Sequence, residues 1–177
     1  ARFFWLPADG LAEKEKKDRV PYTKWKRDGL LLTSPGKAVS RMYVLKHIIG
    51  LMDKYKILGI SFDRWRVEDL TQLADDEGLK IPELKPFGQG FASMGPAYDN
   101  FEEALSNKTF RHPCHPILTS NISHLVVDEN PAGEKKPNKK NATGRIDGAV
   151  CLVMVNGTTS ADFGKESPYE SRGIRTL

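Results

Sequence analysis

Cys114 and Cys151 are the only thiols in 177 residues, too few for a disulfide framework. The chain therefore reads as reduced and intracellular, with Cys151 expected as a buried thiol inside an apolar helix. No apolar run approaches the roughly 20 residues of a membrane span. No secretory leader opens the chain: Ala1-Arg2-Phe3-Phe4-Trp5-Leu6-Pro7 reads as a strand. An initiator methionine is also missing, so the chain reads as a piece of something longer. Internal repeats and long low-complexity tracts are absent. Gly164-Lys165 has no glycine at the spacing that a phosphate-binding loop requires before it, which argues against nucleotide hydrolysis by these residues. His112-Pro113-Cys114-His115 lacks a second ligand pair, and its two prolines suit a loop better than a zinc site. Nor does Cys114 show an orienting partner that would make it a nucleophile.

What remains is an ordinary globular composition, with 39% hydrophobic and 28% charged residues and a net charge of +4. That length suits one domain with a real core. A polyanionic partner is permitted by the charge but not demanded by it. The cations are unevenly placed: Lys14, Lys16, Lys17, Arg19, Lys24, Lys26 and Arg27 cluster early, and Lys135, Lys136, Lys139, Lys140 and Arg145 lead up to Asp147. Solvated surface stretches explain them equally well.

Periodicity and punctuation predict a strand over 1–6, a helix over 11–18, and a helical turn bearing Tyr22 and Trp25 that stops at Gly29. A strand follows over 30–33, then a helix from Ser40 to Tyr55 and a buried strand from Ile57 to Phe62. The next helix ends at Gly78. Leu84 to Phe87 reads as a strand entering the glycine-rich Gly88-Gln89-Gly90, with Ser93 as the cap of the helix after it and Pro96 near that helix's start. Ile122 to Val127 alternates as a strand does. Asp128 to Thr143 is polar with a turn at Pro131-Ala132-Gly133, and the helix of Ile146, Val150, Val153 and Met154 closes the fold. The pattern is α/β with a mixed sheet. Residues 1–156 form the domain, and 157–177 are expected as a flexible tail.

Two aspartates stand out. Asp63 follows the apolar run Ile57-Leu58-Gly59-Ile60-Ser61-Phe62, and strand ends in α/β sheets are where sites form. A strand-terminating or helix-capping aspartate is the other reading. Asp147, in Arg145-Ile146-Asp147-Gly148, opens the last helix, where the dipole favours an acid with or without a function.

Four blocks carry a resemblance: Arg19-Val20-Pro21-Tyr22 with Trp25; Phe62-Asp63-Arg64-Trp65; Pro86-Phe87-Gly88-Gln89-Gly90-Phe91-Ala92-Ser93-Met94; and Lys136-Pro137-Asn138-Lys139 leading to Arg145-Ile146-Asp147-Gly148. In that order they resemble the nuclease domain of tailed-phage terminase large subunits, over nearly the whole chain. The resemblance implies a ribonuclease-H-like mixed sheet flanked by helices and a metal-dependent endonuclease that cuts concatemeric viral DNA during packaging. It also implies three metal-binding acids. Two of them match Asp63 and Asp147; the first would precede Ala1, on a strand this chain lacks. A two-metal site of hard oxygen ligands implies Mg²⁺ or Mn²⁺.

On the same basis Lys136, Lys139 and Lys140 would contact the scissile strand or stabilise charge. Arg64 and Arg145 would contact DNA, and Gln89 would lie near the metal with backbone approaching DNA at its glycines. Each of these also reads as an ordinary surface or turn residue. The implied partners are double-stranded DNA, an N-terminal ATPase domain, a terminase small subunit and a portal, in the host cytoplasm and without a membrane. Two alternatives stay open: a non-cleaving DNA-binding or portal-docking module, and another ribonuclease-H-like enzyme of the resolvase or transposase type. Nothing resembles a major-groove recognition helix, so phosphate contacts would carry most of the affinity.

Overall fold

The structure, a computed structural model, describes residues 3–63, 68–111 and 114–158. The chain opens with β1 (Trp5–Pro7), α1 (Leu11–Asp18), α2 (Tyr22–Arg27) and β2 (Leu32–Ser34). Strand β1 runs parallel to β2, with Trp5 opposite Leu32 and Pro7 opposite Ser34. Helix α1 ends where Arg19 takes a left-handed conformation (φ 55°), a position usually given to glycine. Tyr22 and Trp25 turn one face of α2 inward, and with Leu11, Leu31 and Ile117 they form one apolar cluster.

Helix α3 (Arg41–Met52) leads to β3 (Ile60–Asp63), then α4 (Glu68–Asp76) and β4 (Leu84–Phe87). Strands β3 and β4 are parallel, placing Asp63 opposite Phe87. The second half consists of α5 (Phe91–Ser106), α6 (Pro116–Ser123), the antiparallel pair β5 (Val127–Glu129) and β6 (Lys135–Pro137), and α7 (Asp147–Asn156). The larger core lies between α5 and α7: Met94, Ala97, Phe101, Val150, Val153 and Met154 are all buried there. At about 1.5–3 kcal/mol for each large side chain, this burial anchors α7.

Several expectations are corrected. One mixed sheet was expected; the described residues form three separate two-stranded sheets, because no strand among them bridges β1–β2 to β3–β4. The strand expected at 122–127 starts only at Val127, since Ile122 and Ser123 complete α6. Ile117, Leu118 and Asn121 form that helix's inner face, and Pro116 at its first turn is a helix-start signal that the short apolar run obscured. Pro96 sits within α5, and Gly90, not Ser93, occupies the cap position. Helix α7 is apolar around its whole circumference, as buried helices are, yet Val155 is 66% exposed and Cys151 is exposed rather than buried. One face of α7 is therefore left open. No helix among the described residues is long and apolar enough to cross a membrane.

Candidate active site

The open face of α7 borders a cavity of about 940 Å³. Phe4, Trp25 and Leu152 are among its apolar walls, and Asp18, Arg145 and Asp147 are among its polar ones. Asp147 is held there by the residue after it. The buried Gly148 N–H donates to Asn121 Oδ1 at 2.7 Å, and Asn121 Nδ2 donates to the Ile117 carbonyl at 2.9 Å. Helix α7 has no side-chain cap of its own, so Asn121 satisfies from α6 an amide that the first turn would otherwise orphan. A Cβ on Gly148 would lie 2.7 Å from Phe4 Cε1, so only glycine lets the start of α7 dock this closely. The Asp147 side chain remains 72% exposed, with Lys139 Nζ 3.5 Å from its Oδ1.

Lys139 is presented by a turn that Asn138 organises. Asn138 is buried; its Oδ1 accepts from the amides of Lys140 and Asn141 at 2.8 and 2.9 Å, and its Nδ2 donates to Asp128 at 2.6 Å. Lys140 lies exposed on the same turn. Lys136 points elsewhere, 3.9 Å from Asp128 and over the Phe91 ring. Arg145, two residues before Asp147, donates through Nε to Asp18 Oδ2 at 2.8 Å and to the Tyr22 hydroxyl at 3.1 Å. Tyr22 in turn donates to Asp18 at 2.8 Å. Burial, followed by the hydrogen bond and charge of Asp18, pushes the Tyr22 hydroxyl up to about 12. Burial works to raise the Asp18 carboxyl, but the hydrogen bonds from Arg145 and Tyr22 outweigh it and leave Asp18 below its ordinary value.

Asp63 ends β3, half-buried, and is not among the residues lining the cavity. Gln89 is half-buried in the turn between β4 and α5. At Gly90, φ is −81° and a Cβ would meet nothing within 4 Å, so neither strain nor packing requires glycine there. Arg64, with Trp65, falls outside the described residues, as do His112, Pro113 and Gly164-Lys165. The structure thus gathers Asp147, Lys139 and Arg145 into one region, turns Lys136 to a different partner, and leaves Asp63 on a separate element. Sequence reasoning missed Asp18 and Asn121, and gave Asn138 no role although it stands in the Lys136-Pro137-Asn138-Lys139 block. Asp18 left a weak signal, immediately before the Arg19-Val20-Pro21-Tyr22 block and four residues before Tyr22.

Cys151 opens onto the same cavity, exposed by area yet walled by protein. Burial, followed by the nearby Asp147 charge, pushes its thiol up. Among the described residues no three His, Cys, Asp or Glu side chains gather closely enough to hold a metal ion.

A family model described as the terminase large subunit, endonuclease domain, matches residues 3–162. The terminase large subunit of Enterobacteria phage HK97 is 42% identical over 164 residues, covering 93% of this chain and 32% of that protein. Protein YmfN of Escherichia coli strain K12 is 29% identical over 184 residues, covering 98% of this chain and 40% of that protein. The crystal structure of the HK97 bacteriophage large terminase superposes with a TM-score of 0.82 at 43% identity, over 88% of this chain and 32% of that one. The chain therefore spans about a third to two-fifths of the length of these relatives.

Proposed function

The chain belongs to the family of terminase large-subunit endonuclease domains, and on that premise we propose that it is a divalent-metal-dependent endodeoxyribonuclease of ribonuclease-H-like fold that cuts concatemeric phage DNA during genome packaging. The observation that carries the reading is the setting of Asp147: a solvent-facing carboxylate at the mouth of a cavity, on the first turn of a firmly docked helix, with Lys139 and Arg145 beside it.

Asp63 and Asp147 offer the hard oxygen donors that Mg²⁺ or Mn²⁺ takes. The donor type fits, but number and placement fall short, because the described residues hold no cluster of three and Asp63 does not line the cavity that Asp147 lines. Water and substrate oxygens would complete the site. A bound divalent pair supplies an activated water and offsets charge on the leaving oxygen. Lys139, 3.5 Å from Asp147, balances that carboxylate and would be within reach of a phosphate held beside it. Lys140, on the same turn, tracks the DNA backbone. Residues 1–156 act as the nuclease domain and 157–177 as its tail. Double-stranded DNA is the substrate, and an ATPase domain, a small subunit and a portal are the partners, in the host cytoplasm.

Plasmid nicking with Mn²⁺ or Mg²⁺ tests this. Nicking by the wild-type chain should vanish in Asp63→Ala and in Asp147→Ala; cleavage that survives both changes would sink the assignment of the site. That the described residues bring no three acidic side chains together favours a second reading, a module that binds DNA but does not cut in isolation. Metal-independent DNA binding without nicking by any form is its signature.

A further inference from the structure

The ring of contacts among Asp18, Tyr22 and Arg145 lines the same cavity as Asp147. We propose that Asp18 and Tyr22 are positioning residues: they hold Arg145 by one edge so that its two terminal amino groups grip a backbone phosphate of DNA lying beside Asp147. The proposal rests on the nuclease reading for where DNA lies.

The grip on Arg145 is one-sided. Both of its contacts, to Asp18 and to the Tyr22 hydroxyl, use the single Nε–H. A guanidinium that serves only to tie two elements together gains most from a two-pronged pair with a carboxylate. Here the Nη groups are left without a protein partner among the described residues, on a side chain that is 46% exposed. Those groups form the planar fork that matches two phosphate oxygens. Asp18 is only 18% exposed, and it is fixed in turn by the Tyr22 hydroxyl, so the anchor itself is rigid. Anchoring removes the rotamer freedom that a free arginine would lose on binding. Lys14 and Lys37 also line the cavity, which gives a polyanion further cations along one side. The arrangement ties α1 and α2 to the start of α7 and makes the Arg19-Val20-Pro21-Tyr22 block part of the DNA-binding surface.

The test is binding of a labelled duplex to the full 177-residue chain in EDTA, across a salt series. Arg145→Ala should flatten the dependence of log K on log salt by about 0.9, the loss of one phosphate contact. Asp18→Ala should weaken binding several-fold. This direction is diagnostic: deleting a carboxylate next to a polyanion tightens binding on charge alone, so a loss marks positioning. Tyr22→Phe, which keeps the ring and its packing, should weaken binding less, with its melting temperature checked beside it. Asp18→Ala added to Arg145→Ala should cost nothing further. An unchanged salt slope in Arg145→Ala, or Asp18→Ala and Tyr22→Phe that bind as tightly as wild type, would overturn the proposal. Because EDTA excludes cleavage, either failure stands apart from the nicking result.

Discussion

Asn121→Ala should be among the most damaging polar substitutions in the molecule. Asn121 is 6% exposed, and its Oδ1 is the acceptor for the buried Gly148 N–H. Truncation removes that hydrogen bond and leaves an amide with no intrahelical partner at the first turn of α7. An unsatisfied buried donor costs about 1–3 kcal/mol. The adjacent cavity lets water reach the amide and keeps the loss away from the top of that range, while the missing side chain adds a small void beside Phe4. A total of about 2 kcal/mol follows, which for a domain of this size corresponds to about 4–8 °C in Tm. Urea and thermal melts of wild type and variant measure it. Asn156→Ala is the control: its Nδ2 also donates to a backbone carbonyl, that of Leu152, but no orphaned amide depends on it. The control should shift stability by under about 0.5 kcal/mol. If Asn121→Ala melts within a degree of wild type, Asn121 does not hold the start of α7, and the docking of Asp147 must be explained in another way.

Tyr22, raised to about 12, favours its neutral form in the folded state, so its stabilisation is complete below pH 10 and disappears as pH climbs from 10 toward 12. Wild type should lose about 1–2 kcal/mol across that window, two full units being reduced by solvent screening. Tyr22→Phe should not show this loss, and equal pH slopes in urea midpoints would refute the assignment. Gly157→Ala places a Cβ 2.5 Å from Ala97 Cβ; neither atom can rotate away, so the end of α7 must shift at a cost of about 1–3 kcal/mol. Gly50→Ala, with nothing within 4 Å and inside α3, should instead stabilise by about 0.5–1 kcal/mol. Paired thermal melts that showed the reverse order would contradict the packing described at Gly157.

The sequence was most legible where one local rule decided the outcome. Helix α1 and strand β4 lie where periodicity and punctuation placed them, and Asp147 opens the last helix as expected. It misled where two rules competed. The run from Ile117 to Val127 fits both a helix and a strand, and only Pro116 breaks the tie. Cys151 was expected inside because it lies on an apolar helix, but an apolar helix does not reveal which of its faces is covered. Within the site, Lys139 and Asp147 stand in one block of the sequence, but their ion pair shows only in the structure. Arg145 meets Asp18 and Tyr22 from more than a hundred residues away, and no local pattern announces such a pairing. The single mixed sheet failed for a related reason: strand order is a long-range property, and the blocks that carry the family likeness do not record it.

The strand pairs also differ in how they can form. Strands β5 and β6 meet across a tight turn, where Asn130 Oδ1 accepts from the amides of Ala132 and Glu134 and Gly133 takes φ 82°. Closing so short a loop costs little entropy and takes about microseconds. In each parallel pair, roughly two dozen residues must be gathered before the first rung closes, a non-local pairing of the kind that slows folding. The hairpin can therefore close before β1 finds β2. Lys139 follows this hairpin directly, while Asp18 and Tyr22 lie in the first part of the chain. The Arg145 contacts join residues more than a hundred positions apart, so the cavity takes its final shape only when the two halves of the chain have met.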